Sequence, residues 1–193
     1  MYIAIEGIDT AGKSTQITLL REAFSDAVIT KEPGGTAVGK QIRDIVLHQE
    51  LQSAKAEFLL FVADRAEHME QVVKPNADKL VISDRSAVSG IAYAMLQESI
   101  SETAIMHLNR FATDGIYPQI VFLLQLSEEE LAFRLSQKEL DGIESRGTAY
   151  LLQIQDALIE AAEKLSIRLV TIDASKSIET ISNEIITTIK EGL

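Results

Sequence analysis

The run Gly7-Ile8-Asp9-Thr10-Ala11-Gly12-Lys13-Ser14 is the part of the chain best equipped for chemistry. Two glycines with four residues between them, followed at once by Lys and Ser, match the pattern of a phosphate-cradling loop in full. Glycines allow the tight turn that aims successive backbone N–H groups at one point. A helix opening directly behind the loop adds the positive end of its dipole. Lys13 then reaches the β- and γ-phosphates of a nucleoside triphosphate, and the Ser14 hydroxyl takes a place on Mg2+. Thr15 follows in the same set. Gly7 through Thr15, with Ile8, Asp9, Thr10 and Ala11 inside, is the candidate ATP-binding surface.

A second set of residues suits an acceptor. Leu80-Val81-Ile82-Ser83 is a short apolar run that ends in Asp84-Arg85. An Asp at such a strand tip holds Mg2+ through water, and a guanidinium beside it grips an incoming phosphate with paired hydrogen bonds. A salt bridge at a strand end is the plain alternative, and the phosphate loop elsewhere in the chain tips the balance toward function. Lys31-Glu32-Pro33-Gly34-Gly35-Thr36 turns tightly before the next helix. That loop, with Arg43 on the helix, is placed to approach the acceptor phosphate, although Arg43 equally suits a solvated helix face. Phe61 and Arg65 stand at i, i+4 on one helix and share a face. The pair can stack on a base and donate to its carbonyl edge; a core Phe beside a surface Arg is the plainer reading.

These residues need a frame. A chain of 193 residues, 46% hydrophobic, is sized for one compact domain with a proper core. Short apolar runs at Tyr2–Ile5, Ala27–Ile29, Leu80–Ser83, Ile120–Leu126 and Leu169–Ile172 lack polar alternation, as strands buried on both faces do. Segments of helical period lie between them. Lys13–Phe24 puts Ile17, Leu20 and Phe24 on one face, and Ser53 caps a helix that runs to Val73 and stops before Pro75. Ser99 with Glu102, and Ser127 with Glu130, have capping-box spacing. The alternation predicts an α/β fold: a three-layer sandwich with a five-stranded parallel sheet covered by helices on both faces. Ligands in such sheets bind beyond the carboxyl ends of the strands, where the motifs above fall.

Composition removes several classes of function. With 18 Lys+Arg against 29 Asp+Glu, the net charge of −11 repels polyanions, so no nucleic-acid partner is expected. The absence of Cys removes disulfides, thiolate metal sites and cysteine nucleophiles. His48, His68 and His107 match no zinc-ligand spacing, and His68 reads as a surface residue. Few aromatics and no Trp argue against a carbohydrate cleft. Met1–Gly7 does not read as a signal peptide, and runs such as Phe58–Ala63 fall well short of the roughly 20 residues of a membrane helix. A soluble, cytoplasmic protein with no membrane partner is expected. Neither the N-K-x-D of signalling GTPases nor the H-R-D and D-F-G of protein kinases is present.

In order along the chain, these pieces resemble the bacterial thymidylate kinases, which are P-loop nucleoside monophosphate kinases. The markers are Ile5-Glu6-Gly7 leading into the loop with Asp9, Glu32-Pro33-Gly34-Gly35-Thr36, Leu60-Phe61-Val62-Ala63-Asp64-Arg65, and the run Asp84-Arg85-Ser86-Ala87-Val88-Ser89-Gly90-Ile91-Ala92-Tyr93. Leu140-Asp141-Gly142-Ile143-Glu144 resembles the family's lid, and Asp173-Ala174-Ser175 the end of its last strand. The resemblance implies one P-loop kinase domain over residues 1–193 with a short helical lid at about 134–148, acting as a homodimer on ATP, Mg2+ and dTMP. It implies that Asp9 contacts the deoxyribose 3′-hydroxyl, Phe61 stacks on thymine and Arg65 bonds O4. Arg85 clamps the acceptor phosphate with Asp84 near the magnesium, Ser89 belongs to the substrate set, and Tyr93 lies under the sugar with Tyr150 nearby. The Glu32-Pro33 loop shapes the acceptor site, with a cis peptide before Pro33, and the loop after Asp173 borders the adenine.

The chain departs from the family pattern at Ser86, Ala94, Thr10 and Gly142. Thr10 stands where some members carry a loop arginine and Gly142 where the lid often has one, which leaves Arg134, Lys138 and Arg146 as candidates to meet the transferring phosphoryl group. The reading is transfer of the ATP γ-phosphoryl to dTMP, giving dTDP for dTTP synthesis. A deoxynucleoside or other monophosphate kinase is the alternative among enzymes, with Glu6 or Glu32 as a base. A nucleotide-dependent regulatory switch is the alternative outside them.

Overall fold

The computed structural model describes residues 1–137 and 146–193. Lys138 and the expected lid run Leu140–Glu144 lie outside the described residues. Five strands form one parallel sheet: β1 (Tyr2–Glu6), β2 (Val28–Lys31), β3 (Val81–Asp84), β4 (Ile120–Gln125) and β5 (Arg168–Asp173). Their order is β2-β3-β1-β4-β5, so β1, which feeds the phosphate loop, is the middle strand. Ile5 pairs in register with Asp84, which sets the exits of β1 and β3 side by side.

Burial explains which strands were easy to read. All of β1 is buried, as are the apolar residues of β4, and both read as unbroken apolar runs. The edge strand β2 is only half-buried and carries Thr30 and Lys31, so the apolar pattern pointed to Ala27–Ile29 while pairing with β3 places the strand at Val28–Lys31.

Eight α-helices complete the described chain: α1 (Lys13–Ala23), α2 (Ala37–His48), α3 (Ala54–His68), α4 (Ala87–Met95), α5 (Glu102–Thr113), α6 (Glu128–Leu135), α7 (Thr148–Lys164) and α8 (Ile178–Gly192). Ser53 caps α3 as expected, its hydroxyl accepting from the Ala56 amide at 3.2 Å. The helix expected to reach Val73 gives way at Met69 to one wide π-turn over Met69–Val73 and a short 3-10 turn containing Pro75. That wide turn buries Met69 and Val73 together before the proline, whose ring bars a regular α-turn. The expected Ser99 cap is corrected: Ser101, directly before the first turn of α5, accepts from the Ala104 amide. Ser127 caps α6 through the Glu130 amide, while the Glu130 carboxylate turns forward to Arg134 instead of closing the box.

Candidate active site

The phosphate loop leaves β1 through Gly7 and enters α1 through Gly12, both with positive φ. At Gly7 a side chain would also collide with the chain beside it, since a Cβ would lie 2.8 Å from the Leu124 carbonyl oxygen. Lys13 folds into the loop it serves. Its ammonium donates to the carbonyls of Gly7 and Ile8, each at 2.9 Å, and lies 3.6 Å from Asp9. Burial, with Arg85 adding, pushes the Lys13 pKa down to about 8. Ser14 and Thr15 are exposed at the start of α1.

Two oxygens here are buried without a partner among the described residues: Asp84 Oδ1 and Thr10 Oγ1. Asp84, Lys13 and Ser14 line the same depression. A buried, unpaired carboxylate oxygen is costly unless a cation or donor meets it. Its chemistry fits Mg2+, which takes oxygen ligands. No group of three His, Asp or Glu gathers for a metal among the described residues. An ion here would complete its shell with nucleotide phosphates and water.

Arg85 leaves β3 in a left-handed conformation, φ +68, as does Thr10 in the loop, so strained backbone occurs on both sides of the site. Its guanidinium donates to Asp9 at 2.7 Å and to the Ser89 hydroxyl at 3.0 Å, and stands 5.9 Å from the centre of the Tyr93 ring. Burial opposes the charge on Asp9, but Arg85 and Lys13 outweigh it and hold the carboxyl below its usual range. Behind them the fully buried Glu6 accepts from the hydroxyls of Ser86 at 2.8 Å and Ser89 at 2.5 Å. Burial pushes the Glu6 carboxyl up. Ser86 also caps α4 through the Val88 amide.

An adjoining cleft of about 380 Å³ takes in Phe61, Arg65, Arg85, Ser89, Tyr93 and Tyr150, with Glu32, Pro33 and Arg43 along its wall. The peptide before Pro33 is cis. Arg43 donates to the Pro33 carbonyl at 3.0 Å. Arg65 is buried and donates to Glu32 at 2.9 Å and to Asn109 at 2.5 Å. Burial opposes the charge on Glu32, but Arg65 and His68 hold its carboxyl below the usual range. His68 corrects the sequence reading: it is fully buried and bonded to Glu32 and Thr30. It follows Arg65 by one helical turn, a spacing that could have revealed it. Asn109, on the inward face of α5 four residues after Ile105, carried only that weaker signal.

Three expected residues fall elsewhere or at the rim. Arg134 lines neither depression and instead ties the Thr10 carbonyl (2.9 Å) to the Ala174 carbonyl (2.7 Å). Arg146 lines the cleft, bonding the Tyr150 hydroxyl at 2.9 Å with its guanidinium 4.9 Å from that ring. Asp173 accepts from the amide and hydroxyl of Ser175, shaping the loop between β5 and α8.

A family model described as thymidylate kinase matches residues 5–185. The chain belongs to the thymidylate kinase family. The thymidylate kinase of Sulfurimonas denitrificans is 68% identical over 189 residues, covering 98% of this chain and 99% of that one. That of Wolinella succinogenes is 53% identical over 186 residues, 96% of each. The crystal structure of thymidylate kinase from Ehrlichia chaffeensis superposes with a TM-score of 0.77 at 28% identity, covering 98% of both chains. Ser86, directly after the Asp84-Arg85 pair, joins a helix cap to a buried carboxylate.

Proposed function

We propose that this thymidylate kinase family member transfers the γ-phosphoryl group of ATP to dTMP, yielding dTDP and ADP with Mg2+ as cofactor. One observation carries the reading. The phosphate-loop depression and the aromatic cleft adjoin, and Asp9, Glu32, Arg43 and Arg85 line both. Two anions lodged in them would meet at Arg85.

The acceptor phosphate is already an anion near neutral pH, so positioning and charge neutralisation do the work. Lys13 leaves the loop carbonyls to meet the β- and γ-phosphates. Arg85 exchanges Asp9 for the acceptor phosphate, and the freed Asp9 takes the sugar hydroxyl. Phe61 stacks on the base and Arg65 donates to its O4. Tyr93 and Tyr150 enclose the sugar, and Arg146 approaches from the rim. Mg2+, held by Ser14 and Asp84, would neutralise phosphate charge.

The rival kinase with a hydroxyl acceptor needs a free carboxylate base. Glu6 is saturated by Ser86 and Ser89, and Glu32 is paired with Arg65 and His68. Both geometries favour a phosphate acceptor. We further propose a homodimer acting in the cytoplasm. Exposed Leu47 on α2 and Leu59 on α3 supply apolar surface for a subunit contact, and no helix among the described residues is long and apolar enough to cross a membrane. An ADP-release assay with dTMP, thymidine, dUMP, UMP and CMP tests the reaction: turnover on dTMP is expected, and turnover on thymidine without dTMP overturns it. Light scattering tests the dimer by its mass, which should be about twice 21.2 kDa.

A further inference from the structure

A guanidinium has five N–H donors in a rigid fork and no acceptor. Arg65 meets the acceptor cleft with part of that fork committed. Its Nε donates to Glu32 Oε2 at 2.9 Å, and its Nη1 to Asn109 Oδ1 at 2.5 Å. Glu32 is fixed in turn: its second oxygen accepts from His68 Nδ1 at 2.9 Å, and His68 Nε2 lies 2.7 Å from Thr30 Oγ1. A carboxylate only accepts, so the shared hydrogen sits on Nδ1. Glu32, Arg65, His68 and Asn109 are all buried, the last two completely.

Among the described residues, Nη2 is the guanidinium nitrogen with no hydrogen-bond partner. It lies against Gly90 in the middle of α4. A Cβ at Gly90 would stand 2.4 Å from Nη2 and 3.1 Å from Cζ. Helix propensity disfavours glycine at such a position. The reason for it here is tertiary: the missing side chain is the space Arg65 occupies, and Gly90 itself lines the cleft.

We propose that His68, Asn109 and Gly90 are positioning residues that set acceptor specificity by holding the Nη2 edge of Arg65 toward the base before substrate arrives. The inference rests on the dTMP kinase reading above. An edge that only donates pairs with the 4-carbonyl of a pyrimidine and faces donor to donor against a 4-amino group. The fork is ordered on folding, so little ordering cost remains at binding. A merely structural ion pair would tolerate a shift of Nη2; a recognition edge would not.

Steady-state kinetics with dTMP and dCMP on folded variants, matched by thermal unfolding, test this. Gly90→Ala should raise KM for dTMP about tenfold or more and shrink the dTMP-over-dCMP preference by a similar factor, with kcat nearly unchanged. At position 68 the amide nitrogen of Asn falls near imidazole Nδ1, and that of Gln near Nε2. His68→Gln should therefore raise KM in the same way, while His68→Asn recovers most of the loss. Unchanged KM and preference in Gly90→Ala and His68→Gln overturn the proposal, as does a loss confined to kcat. If these variants do not fold, a wild-type crystal with dTMP decides. Arg65 keeping its Glu32 and Asn109 bonds with Nη2 on the base carbonyl supports the proposal, and Arg65 leaving them to reach the base overturns it. Absence of wild-type turnover on dTMP sinks the dTMP kinase reading itself; turnover with unaffected variants sinks this inference alone.

Discussion

At the scale of single residues, Lys13 makes the sharpest demands. Its ammonium is buried against two carbonyls of its own loop, and its pKa is pushed to about 8. Lys13→Ala should lower kcat by at least about a hundredfold, since one cation facing developing phosphoryl charge is worth roughly 3–4 kcal/mol. Near-normal turnover would remove the phosphate loop from the mechanism. The depressed pKa adds a pH dependence with a definite sign. Below pH 8 the free chain carries Lys13 charged, ready for phosphates. Above it the proton is lost, and binding ATP must first restore it. ATP affinity should therefore weaken as pH rises through 8, by about tenfold at pH 9. Calorimetric titration at pH 7 and 9 reads this directly, and a flat profile contradicts it. Residues this near each other in sequence were legible beforehand because the loop motif is contiguous. Asn109 was not, and His68 showed only its one-turn spacing from Arg65, because what defines them is contact with residues 44 and 36 positions away.

Elements obey local rules that sequence shows only in part. Strands β1 and β4 announce themselves because both faces are covered. Helix starts are subtler, since two serines before α5 offer similar chemistry. Ser99 has the spacing to Glu102, yet Ser101 occupies the position from which a hydroxyl reaches the third helical amide. The two readings separate by mutation. Ser101→Ala should cost about 1 kcal/mol of stability and Ser99→Ala close to none. Equilibrium urea unfolding resolves that difference, and the reverse order would return the cap to Ser99. The π-turn after α3 had no sequence signal beyond Pro75; it follows from the burial of both Met69 and Val73, which only the folded chain reveals. The site depends on these details because α3 carries Phe61 and Arg65 on one face, and α4, capped by Ser86, carries Ser89, Gly90 and Tyr93.

For the molecule as a whole, sheet order turns two distant motifs into one site. Residues 9 and 85 are 76 positions apart, yet adjacency of β1 and β3 brings Asp9 and Arg85 to 2.7 Å. The phosphate-loop depression and the aromatic cleft are therefore not independent. Arg85 helps to depress Lys13, second only to burial. An acceptor phosphate on Arg85 brings negative charge to the same place and offsets that repulsion. Lys13 must then hold its proton to higher pH. With saturating dTMP, the midpoint for loss of ATP affinity should move above 8, whatever the direct repulsion between the two phosphate groups does to affinity at neutral pH. Linkage makes the converse true as well: dTMP binding to the free chain should show a Lys13-dependent pH profile that Lys13→Ala abolishes. Parallel calorimetric titrations with and without dTMP across pH 7–9.5 measure the shift. An unmoved midpoint would mean that Arg85 does not receive the acceptor phosphate, and the shared wall between the depressions would lose its mechanistic meaning.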